Sequence, residues 1–248
     1  MLDFSNSKIL IVGDVMLDKY YFGKVDRISP EAPVPIVNIQ KEESRLGGAS
    51  NVANNIVSLG GHSLLCGVIG HDLFGKEIER ISRHKNIDTF LLKTSSPTIT
   101  KARIIGGKQQ IVRVDYEDKS ELNADNKKLF RDTISRILPE YDILVISDYG
   151  KGLISEDLCR YLIKLAHKYD KKVIIDPKGK NWEKYSGADI VTPNVKELSD
   201  IVGYTVPNTD RAIEKAAREA ITNNHLTALL VTRSDKGMSL IGPIPPIH

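Results

Sequence analysis

The sequence predicts an α/β fold: a doubly wound, mostly parallel sheet flanked by helices, with a small β-flap. Short apolar runs alternate with helical stretches along most of the 248 residues, which indicates parallel strands joined by helices. Several of these runs end in polar residues, as expected where such a sheet binds its ligand. Two β-rich segments interrupt the alternation and favour a flap that stands off the main sheet.

The predicted strands are short, continuous apolar runs, and the predicted helices carry apolar residues three or four positions apart. In chain order, the N-terminal half has strands at 8–13, 63–70 and 89–92, with helices beginning near Asn51 and covering 72–85. The C-terminal half has strands at 141–147, 172–176, 189–192 and 226–232, helices at 155–169, 195–202 and 209–223, and a last strand that ends at Ile241.

The flap is predicted from lid segments at about 15–43 and 95–118. Residues 34–39 and 98–114 are its β-rich parts, and Gly106-Gly107 marks a hairpin. An edge extension of the main sheet is the alternative. No repeat or linker divides the chain, so we assign residues 1–248 to one domain.

The composition is that of a globular domain with a substantial core. Hydrophobic residues make up 41% and charged residues 27%, and 35 Lys and Arg against 32 Asp and Glu leave a net charge of +3. The basic residues are scattered, so we expect no nucleic-acid partner. Neither a long apolar run nor a signal-peptide pattern is present, so we expect no membrane partner and a cytoplasmic location. Cys66 and Cys159 lie in apolar segments, as buried thiols of a reducing compartment do.

The pair Gly47-Gly48 is the most informative motif. The two glycines lead into a helix, so backbone N–H groups can come close to a bound polar ligand, and Asn51 lies in the first turn of that helix. A tight turn before a capped helix is the alternative. The position after a strand that ends in Asp14, with Asp18 close behind, favours a ligand site.

Polar groups follow five predicted strands: Asp14, Asp148, Asp176, the pair Asn194 and Glu197, and Thr232. Any one of them could cap the next helix instead, but together they favour a shared site at the carboxyl edge of the sheet. No G-x-G-x-x-G motif or P-loop is present, so phosphate must be bound in another way. Asn194 and Glu197 stand three residues apart, a spacing that suits a hydrated magnesium ion or a helix cap.

These motifs resemble the PfkB (ribokinase-like) family of carbohydrate kinases over nearly the whole chain. The Gly47-Gly48 stretch is similar to the N-terminal signature of the family, 194–197 to its Asn-x-x-Glu motif, and 231–237 to its nucleotide-binding strand and turn. Within the family, residues 13–35, 147–152 and 176–179 are similar to the branch that phosphorylates D-glycero-β-D-manno-heptose 7-phosphate. That branch serves lipopolysaccharide core synthesis and is often fused to an adenylyltransferase domain.

The resemblance implies transfer of the γ-phosphoryl group of ATP, with Mg²⁺, to O1 of heptose 7-phosphate. It implies a sugar site formed by Asp14, Asp18, Gly47, Gly48 and Asn51, and a nucleotide site formed by Asp148, Lys178, Asn194, Glu197, Thr232, Ser234 and Gly237. Asn194 and Glu197 are its expected magnesium residues, through water. Lys101, Arg103 and Arg113 alternate in the flap strands and are our candidates for binding the 7-phosphate, with a solvated edge strand as the alternative.

The chain departs from the family in one respect. PfkB enzymes carry a Gly-Ala-Gly-Asp motif that supplies the general base and an anion hole, and the sequence up to His248 contains no such motif. We therefore expect the catalytic aspartate beyond His248 and the C-terminal part of the fold to be missing from these residues. The family also implies a homodimer formed through the flap. Another PfkB sugar kinase, a non-catalytic sugar- or nucleotide-binding fragment and a scaffold protein remain alternatives.

Overall fold

The computed structural model of the protein describes residues 3–118 and 122–248. Its strands are β1 (Lys8–Gly13), β2 (Val15–Ile28), β3 (Pro35–Gly48), β4 (His62–Gly70), β5 (Asp88–Thr94), β6 (Thr100–Gly106), β7 (Gln109–Tyr116), β8 (Ile143–Ser147), β9 (Lys172–Asp176), β10 (Ile190–Val191), β11 (Ala228–Thr232) and β12 (Met238–Ile241). Its α-helices are α1 (Ala49–Ser58), α2 (Leu73–His84), α3 (Ala124–Ile137), α4 (Glu156–Lys168), α5 (Val195–Val202) and α6 (Asp210–Asn223). Within these described ranges, no helix is both long and apolar enough to cross a membrane.

The main sheet confirms the predicted doubly wound architecture. Its eight strands lie in the order β12-β11-β10-β9-β8-β1-β4-β5, and every neighbouring pair is parallel except β11 and β12. The chain leaves β1 toward β4 on one side, and the later strands add on the other side from β8 onward. The topological switch point therefore lies between β1 and β8, where open α/β sheets bind their ligands.

Helices cover the two faces of the main sheet unequally. Helices α3 to α6 bury one face in a large cluster that includes Phe130, Leu144 and Trp182, whereas α1 and α2 cover the other face over β1 and β4. On that second face, side chains such as Val145 and Ile174 are only partly buried.

The two β-rich segments form a separate four-stranded sheet in the order β3-β2-β6-β7, so the predicted flap is confirmed and the edge-extension alternative is wrong. Strands β2 and β3 pair antiparallel along their length, from Val15 opposite Gly48 to Ile28 opposite Pro35. The long strand β2 was missed within the lid segment because its many charged and aromatic residues form no apolar run. The hairpin between β6 and β7 turns at Gly107, which has a positive φ of 62°.

Three details of the sequence prediction need correction. Helix α3 was not predicted, because its buried residues Phe130 and Ile134 stand among charged residues. Strand β10 has two residues rather than four, since Thr192 already bonds the carbonyl of Ile175 as the chain leaves the sheet. The pair Gly47-Gly48 ends strand β3 and leads directly into α1, which has no side-chain cap, so the alternative of a tight turn before a capped helix is wrong.

Asp72 joins the flap to the main sheet. Its carboxylate caps α2 by accepting from the amide of Gly75 at 2.8 Å, and it also accepts from the amide and the hydroxyl of Thr98, each at 2.7 Å. Thr98 in turn accepts from the amide of Gly70 at the end of β4, at 2.8 Å. Burial opposes ionisation, but these hydrogen bonds outweigh it and lower the pKa of Asp72.

We predict that Asp72→Ala lowers the free energy of unfolding by about 2–3 kcal/mol at pH 7, because a helix cap and two further charge-assisted hydrogen bonds are lost. Since the native pKa of Asp72 is lowered, its contribution is complete above the ordinary aspartate pKa and disappears as pH falls through the native value. Urea unfolding from pH 7 down to pH 3 measures both effects. Asn123→Ala removes only the cap of α3 and should cost about 1 kcal/mol. Equal losses of unfolding free energy in the two variants would contradict the role of Asp72 in joining the flap to the main sheet.

Candidate active site at the carboxyl edge of the sheet

The polar residues predicted at strand ends lie along one edge of the main sheet. Asp14 follows β1, Asp148 follows β8, Asp176 ends β9, Asn194 precedes α5 after β10, and Thr232 ends β11. Because these five strands are parallel neighbours, all their carboxyl ends point the same way. Only β8 and β9 lie between β1, which Asp14 follows, and β10, which Asn194 follows. The five residues therefore lie at the same edge of the sheet, as residues that line a single cleft must.

Asp14 lies at the switch point, and its carboxylate is held by backbone amides. It is 2% exposed, and its Oδ2 accepts from the amide of Tyr149 at 2.8 Å and from the amide of Lys151 at 3.1 Å. Gly150, between these two residues, has a φ of 65° that lets the loop turn. Burial raises the pKa of Asp14, and the two amide bonds oppose that rise.

A cavity of about 580 Å³ opens beside Asp14, a size typical of small-molecule sites. The ends of β4 and β5 form part of its wall. The segment 95–97, which leads into the flap, and Lys151, which lies in the loop after β8, also line it. Asp14 is one of the residues that line the cavity, together with hydroxyl, imidazole and ammonium groups. This is a lining suited to a polyol.

The 47–48 glycine pair lies close to both aspartates of the predicted sugar site, and at Gly48 the close contact is with backbone. A Cβ on Gly47 would come within 2.5 Å of Oδ2 of Asp18, and one on Gly48, whose φ is 54°, within 2.4 Å of the carbonyl oxygen of Asp14. Helix α1 begins directly afterwards without a side-chain cap, and Asn51 is exposed in its first turn. The glycines thus bring Asp14, Asp18 and the start of α1 together.

The three flap cations predicted to bind phosphate have different surroundings. Arg103 donates to Oδ1 of Asp18 at 2.6 Å and lies over the ring of Tyr20, and Arg113 pairs with Asp115 at 2.9 Å. Lys101 lies opposite Asp18 in the β2–β6 register, on the same flap face as Arg103. A phosphate at Arg103 would have to share that guanidinium with Asp18.

Asp148 lies in a buried network that no sequence signal indicated. Its Oδ1 accepts from the amide of Gly150 at 2.8 Å, and its Oδ2 accepts from the hydroxyl of Tyr185 at 2.7 Å and contacts the ammonium of Lys184. Both carboxylate oxygens therefore have protein partners, and a ligand at Oδ2, which already has two, would have to displace one of them. Lys184 and Tyr185 stand in a segment without periodicity or motif, which is why sequence reasoning missed them.

Asn194 and Glu197 form a reciprocal capping box at the start of α5. The amide of Glu197 donates to Asn194 at 2.9 Å, and the amide of Asn194 donates back to Glu197 at 3.1 Å. Lys178 lies 3.6 Å from the other oxygen of Glu197. Burial and the charge of Glu197 raise the pKa of Asp176 to about 6. A carboxylate whose charged form is destabilised by a neighbouring carboxylate in this way suits a divalent cation, which would relieve the repulsion.

The described residues contain no group of three or more His, Cys, Asp and Glu side chains placed to hold a metal ion. The role of Asn194 and Glu197 as magnesium residues, through water, stays a prediction.

The turn after β11 is held in place by a buried arginine. Arg233 is 2% exposed and donates to Asn208 at 2.9 Å, to Ser239 at 2.9 Å and to Asp210 at 2.6 Å. Ser234 and Gly237, in the same turn, have positive φ values of 59° and 74°. The side chain of Arg233 therefore fixes this turn against the start of α6 and strand β12. Sequence reasoning missed Arg233 because an arginine in a turn is ordinarily exposed.

The comparisons with known proteins agree with the fold and show the family of the chain. The family model described as "pfkB family carbohydrate kinase" matches residues 6–243, and the chain belongs to that family. It is 44% identical over 242 residues to the bifunctional protein HldE of Haemophilus influenzae, covering 97% of this chain and 50% of that protein. It is 43% identical over 237 residues to the D-beta-D-heptose 7-phosphate kinase of Bordetella bronchiseptica, covering 95% of this chain and 74% of that protein. The chain thus spans about half the length of its bifunctional relatives.

Solved structures of the family share the fold. Phosphofructokinase-2 from Escherichia coli in complex with substrates and products superimposes with a TM-score of 0.75 at 20% identity, covering 98% of this chain and 78% of that one. A carbohydrate kinase from Agrobacterium tumefaciens superimposes with a TM-score of 0.71 at 18% identity, covering 97% and 74%. The architecture is therefore that of the ribokinase-like sugar kinases.

We predict that Asp176 titrates near pH 6 in the ligand-free protein and that Glu197→Gln lowers this midpoint, because removal of the neighbouring charge makes ionisation of Asp176 easier. Carbon-detected NMR of labelled aspartate measures the midpoint. Glu214→Gln removes a carboxylate on the exposed side of α6 and should leave it unchanged. A midpoint near 4 in the parent protein would contradict the predicted coupling.

Proposed function

We propose that this chain carries the kinase activity that transfers the γ-phosphoryl group of ATP to O1 of D-glycero-β-D-manno-heptose 7-phosphate. The product would be the 1,7-bisphosphate, in the route to ADP-heptose and the lipopolysaccharide core. The observation that carries the proposal is the 43% identity to a D-beta-D-heptose 7-phosphate kinase over 95% of the chain. The buried, amide-held carboxylate of Asp14 at the switch point supports it independently.

In this proposal, Asp14 accepts hydroxyl groups of the heptose at the carboxyl edge of β1. Asp18, Gly47, Gly48 and Asn51 line the same site, where the end of β3 meets the start of α1. Phosphoryl transfer depends chiefly on positioning and on neutralising charge, so a carboxylate fixed by two amides is well suited to orient an acceptor hydroxyl. Lys101, Arg103 and Arg113 on the flap are the proposed partners of the 7-phosphate.

The nucleotide is proposed to lie toward β11. Thr232, Ser234 and Gly237 would line it through the turn that Arg233 holds, and Lys178 would meet its phosphates. Asp148 is also among the residues expected at this end. Mg²⁺, held near Asn194 and Glu197 through water, would supply charge neutralisation between the phosphates.

Further proposals concern the natural protein. We propose that the general base is an aspartate of a Gly-Ala-Gly-Asp motif beyond His248, and that an adenylyltransferase domain is fused to the kinase domain in the natural protein, since the chain covers 50% of its bifunctional relative. A homodimer through the flap is supported by exposed apolar side chains there, including Val25, Val112 and Val114. We further propose that the protein works in the cytoplasm, without a nucleic-acid or membrane partner.

The test is a kinase assay on the natural full-length protein. Heptose 7-phosphate, fructose 6-phosphate and ribose are compared as acceptors with ATP and Mg²⁺, and we expect kcat/KM to be highest for heptose 7-phosphate. A preference for fructose 6-phosphate or ribose would assign the chain to another sugar kinase of the family. Absence of turnover with all three would favour a binding role.

We predict that Lys101→Ala and Arg103→Ala raise the KM for heptose 7-phosphate at least about tenfold and change the KM for ATP far less. A charge-assisted hydrogen bond to phosphate is worth about 1.5–3 kcal/mol, which sets that size. Lys108→Ala removes an exposed cation at the tip of the β6–β7 hairpin and is the matched control. Equal, small changes for both substrates would assign Lys101 and Arg103 to a solvated edge of the flap.

A further inference from the structure

The loop after β8 is built around Asp148. The carboxylate of Asp148 is bonded to the amide of Gly150 through Oδ1, and the amides on either side of that one, those of Tyr149 and Lys151, point to Oδ2 of Asp14. One aspartate thus fixes the middle of the loop while the other accepts its two flanking amides. The two carboxylates therefore accept hydrogen bonds from the same loop, but from different amides.

Asp148 is anchored from the opposite side by two neighbouring residues. Tyr185 is fully buried and donates its hydroxyl to Asp148, and the ammonium of Lys184 neutralises the carboxylate. Burial raises the pKa of the Tyr185 hydroxyl, so it remains a donor across the physiological pH range. A buried carboxylate without such partners would be strongly destabilising, so the network fixes Asp148 in one position.

We propose that Asp148 is a positioning residue for the acceptor-sugar carboxylate. Anchored by Lys184 and Tyr185, it holds the 149–151 loop so that two amides orient Asp14 toward the acceptor hydroxyls. The proposal rests on the proposed function, in that Asp14 binds the sugar. It differs from the expectation that Asp148 contacts the nucleotide or magnesium, because both oxygens of Asp148 already have protein partners.

Asp148→Asn in the natural full-length protein tests the proposal, since it keeps the shape of the side chain and removes the charge that pairs with Lys184. We expect the amides of Tyr149 and Lys151 to exchange hydrogen at least about tenfold faster, measured by NMR or by mass spectrometry of the peptide that contains them. The KM for heptose 7-phosphate should rise about tenfold, while the KM for ATP and the Mg²⁺ dependence stay within about twofold.

Asp189→Asn is the matched control. Asp189 also pairs with a lysine, Lys172, and accepts a backbone amide, that of Val173 at 2.9 Å, but it lies at the amino edge of the same sheet. Its loss should lower thermal stability without changing either KM or the exchange of the 149–151 amides. If Asp148→Asn fails to fold, Lys184→Gln removes the same ion pair from the other side, and faster exchange at Tyr149 and Lys151 is again expected.

Two results would overturn the proposal: unchanged exchange of the Tyr149 and Lys151 amides, or a rise in the KM for ATP or in the Mg²⁺ requirement that exceeds the rise in the KM for the sugar. The second result would assign Asp148 to the nucleotide end. If the parent protein does not phosphorylate heptose 7-phosphate, the proposed function is wrong. Amide exchange, which needs no substrate, still decides whether Asp148 positions Asp14.

Discussion

The hydrogen bonds from the amides of Tyr149 and Lys151 to the carboxylate of Asp14 are the interaction on which the candidate site depends. They join the ends of β1 and β8, the two strands on either side of the switch point. The packing behind them is equally constrained, since a Cβ on Gly13 would come within 2.3 Å of the carbonyl oxygen of Ser147. Because the two strands approach so closely, the amides of the 149–151 loop reach the buried carboxylate of Asp14, whose burial without such partners would be strongly destabilising.

The remaining parts of the site are arranged around this pair of strands. The ends of β9, β10 and β11 extend the carboxyl edge in one direction toward the turn that Arg233 holds. In the other direction, Asp72 and Thr98 join the flap to the end of β4, so the flap starts from a fixed position beside the cavity. An acceptor near Asp14 and a phosphoryl donor near Thr232 would then meet along one edge, which is the positioning that phosphoryl transfer requires.

The sequence predicted the main sheet, its polar strand ends and the flap, because apolar periodicity, glycine pairs and strand-end residues are local signals. The partners of those residues could not be predicted in the same way. Lys184 and Tyr185 reach Asp148 from 36 and 37 positions away, and Arg103 reaches Asp18 from 85 positions away. No local pattern encodes such contacts, since only the folded chain brings them together. Helix α3 was missed for a related reason: two buried residues among many charges give a weak periodic signal.

The central claim is that this carboxyl edge delivers the γ-phosphoryl group of ATP to the anomeric oxygen of a heptose 7-phosphate. Phosphorus NMR of the reaction of the natural full-length protein tests it most directly, because an anomeric phosphate and a primary 7-phosphate couple to different numbers of protons. The account predicts that a doublet from a phosphate on O1, split by one proton, grows together with the signals of ADP as the γ-phosphate signal of ATP disappears, while the 7-phosphate signal is retained. Loss of γ-phosphate to inorganic phosphate alone, or a new phosphate on any other oxygen, would contradict it.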